Sequence, residues 1–203
     1  MHKLLMIGAA LGLGAASPAI AGNAGFNATF SNTNPPAAPG GRCPGLTVSI
    51  ANIAPFFATG SSNFGAFTAT QSHCLDSGPP LTIGATDVGY YDGLFAFTFA
   101  DGDVLSGTYE GTLSNGGAFG IIDNLQQFTI TGGSGDFAGA TGTLEGIGQL
   151  KFTSGPPSAT LAIEGTILAP AVVEPATWGM MLIGFGAIGS AIRRPGKAAV
   201  RFG

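Results

Sequence analysis

Few side chains in this 203-residue chain are equipped for chemistry, and most of them lie between residues 43 and 110. Cys43 and Cys74 are the two cysteines, and His73 stands beside the second. Two thiols in a chain bound for an oxidising compartment read by default as a disulfide. Closing a loop of about 30 residues stabilises by roughly 3–4 kcal/mol in the chain-entropy treatment. The other reading is a Cys–His metal site. Against it, the cysteines lack close ligand spacing, His73 is the only histidine beyond His2, and structural zinc takes four ligands. No metal and no cofactor is expected.

The acids offer little more. Glycoside hydrolysis needs two carboxyls facing each other across a substrate. Asp101 and Asp103 are close in sequence, but Asp-Gly-Asp between two strand patterns reads as a hairpin turn, and it lacks the ligand-rich repeat of a calcium loop. Asp87, Asp92 and Glu110 have no recognisable partner. A serine triad lacks a base and a Gly-x-Ser-x-Gly elbow. No catalytic residue is assigned. Tyr90, Tyr91 and Tyr109 either line a ligand cavity or pack in the core and rim, the second being the commoner role.

Positioning these residues falls to strands. Phe95, Phe97 and Phe99 alternate with small or polar residues, a period of two. Asp101-Gly102-Asp103 turns the chain, and Val104–Leu113 returns as the partner. Leu46–Asn52, Phe64–Ser72, Gln127–Thr131, Thr141–Phe152 and Ala159–Leu168 read alike. The expected fold is all-β: one antiparallel barrel or sandwich of about seven or eight strands. It spans residues 46–169, after an irregular lead-in over 22–45 with one strand near Phe26–Phe30. Gly132-Gly133-Ser134-Gly135-Asp136-Phe137-Ala138-Gly139-Ala140 lacks Lys-Ser/Thr and runs into a strand, which excludes a phosphate cradle. Its glycines suit a sharp connection, with Phe137 and Ala140 plugging a barrel end.

Both termini read as addresses. Met1-His2-Lys3, the apolar run Leu4–Ala16 and Ala19-Ile20-Ala21 form a signal peptide over residues 1–21, with cleavage by signal peptidase before Gly22. Residues 170–203 hold Glu174-Pro175, Trp178, an uncharged apolar run to Ile192, and the basic cluster led by Arg193 and Arg194. That layout suits a C-terminal transmembrane helix with an interfacial tryptophan and a cytoplasmic basic flank. Helices are expected only at the two ends and in one turn near Phe137. Between residues 22 and 172, two bases (Arg42 and Lys151) face ten acids, a formal charge of −8 against −4 for the whole chain. So acidic a body has no basic patch for nucleic acid.

Two resemblances follow from these motifs. The tail, with Val173-Glu174-Pro175-Ala176-Thr177-Trp178-Gly179, Gly184-Phe185-Gly186 and Arg193-Arg194, resembles the PEP-CTERM sorting signal in its PEPxxWA variant. Val173 and Gly179 stand where that pattern has proline and alanine. The resemblance implies an exosortase-type processing protease, cleavage near Glu174-Pro175, and transfer to the surface of a Gram-negative cell or beyond. The Ile130–Gly142 segment resembles the glycine turn of allene oxide cyclase-like and dirigent-like barrels, which implies an apolar ligand inside a barrel. Two functions stay open: an exported, non-catalytic barrel sorted to the envelope or matrix, and a cyclase- or dirigent-like barrel handling a small hydrophobic substrate.

Overall fold

Buried and exposed residues alternate along most of the body, as they must in a wall with one dry face. The computed structural model describes residues 22–33, 38–52, 54, 56–153, 156–169 and 175–192. Strands β1 (Gly22–Thr33), β2 (Ala38–Pro39), β3 (Leu46–Ile50), β4 (Ala58–Ser62) and β5 (Gly65–Leu75) come first. Next are β6 (Val88–Phe99), β7 (Val104–Asn115), β8 (Ile121–Ser134), a 3-10 turn at Gly135–Phe137, β9 (Thr141–Lys151) and β10 (Ser158–Ala169). Helix α1 (Pro175–Ile192) follows.

Eight strands close a barrel. The order β4-β1-β10-β9-β8-β7-β6-β5 is hydrogen-bonded throughout, antiparallel at every step, and β5 pairs back to β4. Strand β3 lies outside this ring. It runs along the same edge of β5, pairing Leu46–Ile50 with Leu75–Gln71, while β4 takes Gly65–Thr68. The barrel, rather than the sandwich, is therefore the observed form.

Two elements differ from the expected strand set. The strand expected near Phe26–Phe30 extends over all of Gly22–Thr33 and belongs to the barrel rather than to an irregular lead-in, because Phe26, Ala28, Phe30 and Asn32 all face the lumen in register with β10. Ala-Thr-Gly-Ser-Ser at β4 has weak strand propensity of its own, and pairing with β1 and β5 makes it extended. Several glycines within strands are seats for aromatic rings. A Cβ at Gly107 would come within 2.9 Å of the Phe95 ring, and one at Gly111 within 2.3 Å of the Tyr90 hydroxyl. Each glycine sits opposite its ring on the neighbouring strand.

One end of the lumen is filled by phenylalanine. Phe97, fully buried, lies 4.7 Å from Phe67, 5.0 Å from Phe95 and 6.0 Å from Phe128 between ring centres. Phe137 caps this end from the 3-10 turn, 4.9 Å from Phe99 and 5.8 Å from Phe64, with Ala140 buried beside it. The plug expected of Phe137 and Ala140 is present. Asp101-Gly102-Asp103 is a turn, with Gly102 at φ +96 and the Asp103 N–H donating to Asp101 Oδ1 at 3.1 Å. Asp103 Oδ2 in turn accepts from the Asp136 N–H at 3.0 Å, tying the hairpin to the plug.

Helix α1 covers the apolar stretch of the tail and begins at Pro175, a position where the missing N–H costs nothing. Its large side chains at Met180, Met181, Leu182, Ile183, Phe185 and Ile188 are exposed. The expected transmembrane helix is corrected on one point: among the described residues no helix is long and apolar enough to cross a membrane. Eighteen residues reach about 27 Å, short of a hydrocarbon core of about 30 Å. Gly179, Gly184, Gly186, Gly189 and Ser190 also dilute its apolar character. Ala19, Ala21 and the signal helix, together with Glu174, Arg193 and Arg194, lie outside the described residues.

Candidate functional site

The opposite end of the lumen is polar, and a pair of irregularities in β5 and β6 builds it. Phe95, Phe97 and Phe99 point inward, so unbroken alternation would bring Tyr91 in and send Tyr90 out. Instead the β6–β7 register shifts between Tyr90 and Gly93, and the β5–β6 register shifts between Ser72 and Cys74. Asp92, in the first irregularity, has φ +49, a left-handed conformation that aspartate tolerates better than most residues. The inserted residue inverts the phase. Tyr90 is buried in the lumen, and Tyr91 turns outward to donate to Asp76 Oδ1 at 3.0 Å. That hydrogen bond, more than any other cause, raises the Tyr91 pKa.

Three hydrogen-bonded pairs then span the lumen, each skipping at least one strand. His73 Nδ1 on β5 lies 2.7 Å from the Tyr109 hydroxyl on β7. The Tyr90 hydroxyl on β6 lies 2.9 Å from both Asn124 Oδ1 and the Leu125 carbonyl on β8, donating to that pair. Gln71 Nε2 on β5 reaches Gln126 Oε1 on β8 at 3.4 Å. The His73 and Tyr90 rings pack at 4.6 Å, and Tyr109 stacks on Phe128 at 5.4 Å. Asn32, Gln71, His73, Asn124 and Gln126 are all buried.

Beside these pairs lies a cavity of about 90 Å³. Asn32, His73, Tyr90, Asn124 and Gln126 supply its polar surface; Ile50, Leu113, Leu150 and Phe152 are among its apolar walls. Pro79 and Pro157 close its outer end. The connection carrying Pro79 is tied across the mouth, with the Gly120 N–H donating to the Leu81 carbonyl at 3.0 Å and Asn115 Nδ2 donating to the Pro80 carbonyl at 3.3 Å. The Phe152 N–H donates to the Gly120 carbonyl at 2.8 Å. A roof is thus built from three connections.

The cysteines hold the wall behind His73. Cys43 and Cys74 form a disulfide, with S–S 2.05 Å, so the metal reading of the pair does not apply. The bridge places Arg42 over β5, where its Nη2 donates to the Ser72 carbonyl at 2.8 Å. Among the described residues no group of three or more His, Cys, Asp or Glu is placed to hold a metal ion. Glu110, Glu145 and Glu164 share one cross-strand row with Gln127, but they line the outer wall. The acids thus stand apart from the lumen.

No protein-family model, curated protein or solved structure matches the chain. The chemistry of the site is therefore that of its own residues. Burial, and then the Arg42 charge, push the His73 imidazolium down to about 4. Burial raises the Tyr109 phenol, with Arg42 partly offsetting it; burial and then Tyr109 raise the Tyr90 phenol against a hydrogen bond with Gln126. At neutral pH the imidazole and both phenols are uncharged. Such a set binds by hydrogen bonding and is poorly suited to proton abstraction, because a base of pKa near 4 holds protons weakly at pH 7.

This burial has a consequence for stability. The folded pKa of His73 lies below its ordinary 6.5, so below pH 6.5 the unfolded chain binds a proton that the folded chain refuses. The resulting contribution is fully present above pH 6.5 and is lost as pH falls toward 4, a loss of about 3 kcal/mol at 1.36 kcal/mol per unit. Denaturant unfolding at pH 7, 5.5 and 4 measures it. His73→Phe should flatten that part of the profile; an equally steep profile in the variant would assign the loss elsewhere.

Asn32, Gln71, Asn124 and Gln126 carry no motif and are not found by motif reading. Their only signal is phase. Each falls on the inward parity of a strand whose other inward residues are apolar, such as Asn124 and Gln126 before Phe128 and Ile130.

Proposed function

We propose that this chain is an exported, non-catalytic β-barrel protein carrying a C-terminal exosortase-type sorting signal, addressed to the cell envelope, the surface or the extracellular matrix. The observation that carries the reading is the tail. Glu174-Pro175, Trp178, Gly184-Phe185-Gly186 and Arg193-Arg194 stand in the order of a PEPxxWA sorting signal. Its apolar portion is helical, with Met180, Met181, Leu182, Ile183, Phe185 and Ile188 exposed. An exposed apolar helix of this kind is stable in contact with lipid or with a membrane protease, and hydrophobic burial there would retain the precursor. The disulfide fits an oxidising compartment, and the signal peptide over residues 1–21 supplies the route.

The lumen supports the non-catalytic reading over a cyclase- or dirigent-like one. Its deep end is packed with phenylalanine, and the cavity at the other end, about 90 Å³, is well below the roughly 300–1,000 Å³ of ordinary small-molecule pockets.

Expression in a Gram-negative host with and without an exosortase-type protease tests the sorting reading. With the protease, intact mass should show a chain beginning at Gly22 and ending near Glu174-Pro175, in the surface or medium fraction. Without it, the tail should remain attached and the chain stay with membranes. An identical C-terminal mass and location in both strains would overturn the proposal.

A further inference from the structure

The polar end of the lumen contains an imbalance that packing alone does not account for. Asn32 Oδ1 and Gln71 Oε1 are buried and have no hydrogen-bond partner, although both side chains are more than nine-tenths buried. A buried carbonyl oxygen left unpaired costs about 1–3 kcal/mol. Native cores tolerate few such atoms, and each calls for a reason. Both orphans are acceptors; Asn32 lines the cavity, whereas Gln71 lies outside its lining. What completes the site must therefore bring donors.

The lining restricts those donors further. None of the lining residues is Asp, Glu, Lys or Arg, and the His73 ring is neutral at physiological pH. A cationic amine would enter without a counter-charge, and a carboxylate would meet unpaired acceptors; both pay the desolvation penalty of a buried ion. A neutral hydroxyl or amide pays neither. The apolar walls from Ile50, Leu113, Leu150 and Phe152 fit a short carbon skeleton, and the volume limits it to a few heavy atoms.

We propose that the roofed polar end of the barrel is a binding site for a small, uncharged hydroxylic molecule of the alcohol or polyol class, whose hydroxyl donates to Asn32 Oδ1 and whose carbon skeleton lies on the Leu113–Leu150 wall. This inference rests on the lumen and is independent of the sorting tail, so either can fail without the other.

The test uses the purified full chain, isotopically labelled, titrated with ethylene glycol and glycerol while side-chain resonances of Asn32, His73 and Asn124 are followed by NMR. Ethylammonium, acetate and xenon serve as charged and apolar comparators. Saturable shifts at Asn32 and His73 with the two polyols are expected, with binding of the charged probes at least about tenfold weaker. Asn32→Leu removes the orphan acceptor, so it should keep or raise the melting temperature while weakening polyol binding by about tenfold, the value of one hydrogen bond of ordinary strength. Asn32→Ala, which adds no volume, gives the same comparison should the leucine variant fail to fold. Absence of saturable shifts from either polyol, meaning water alone in the cavity, would overturn the proposal. So would saturation by xenon only, or polyol binding unchanged in both Asn32 variants.

Discussion

Phe97→Ala is expected to lower the unfolding free energy by about 3–5 kcal/mol, the range for deleting a large aromatic from a packed core. The position is fully buried and central: Phe26, Phe30, Phe67, Phe95 and Phe128 all lie within 6.4 Å of its ring centre. Those neighbours are carried by four strands, β1, β5, β8 and β6 itself, which supplies Phe95 beside Phe97, so no single side chain can swing in to refill the space. In a protein of this size the loss corresponds to a fall of roughly 10 °C in melting temperature. Urea unfolding of the full chain measures it. Phe119→Ala provides the control, since that ring is 67% exposed and its loss should change stability by no more than about 0.5 kcal/mol. Equal effects at the two positions would mean that the lumen is not the core.

Replacing Cys43 and Cys74 together with serine is expected to cost about 3–4 kcal/mol, since the bridge closes a loop with a sequence separation of 31. Much of that effect acts on the unfolded chain, whose freedom the bridge restricts. A local effect is expected as well. The bridge anchors the segment bearing Arg42, and Arg42 helps depress the His73 pKa. The double variant should therefore unfold at lower denaturant, and NMR titration should show His73 moving back toward 6.5. Equal midpoints for the oxidised wild type and the double variant would contradict the stabilising role. An unmoved His73 would separate the bridge from the site.

The fold was legible in the sequence where the chain obeys a simple period. Phe95, Phe97 and Phe99 announce an inward face by alternation, and that face is what the lumen receives. Asp101-Gly102-Asp103 and the Phe137 plug were readable because turn chemistry is local: it depends on residues within a few positions of one another. Less legible was β4, whose Ala-Thr-Gly-Ser-Ser becomes a strand through partners some thirty residues before it and just after it in the chain. The role of glycines within strands was not legible, because a sequence does not display what lies across the sheet; Gly111 is required by the ring of Tyr90 on the neighbouring strand.

By itself, then, the sequence determined a disulfide-linked, all-β body whose strands alternate inward and outward residues. Composition, spacing and period are enough for that, since each is a property of neighbours along the chain. The tertiary structure alone decided which polar residues meet. One extra residue at Asp92 reverses the phase of β6 and brings Tyr90 inside. Barrel closure then sets β5 opposite β8, so that Gln71 faces Gln126 from 55 residues away. Phase errors and long-range closure have no local signature, and the candidate site is made of both.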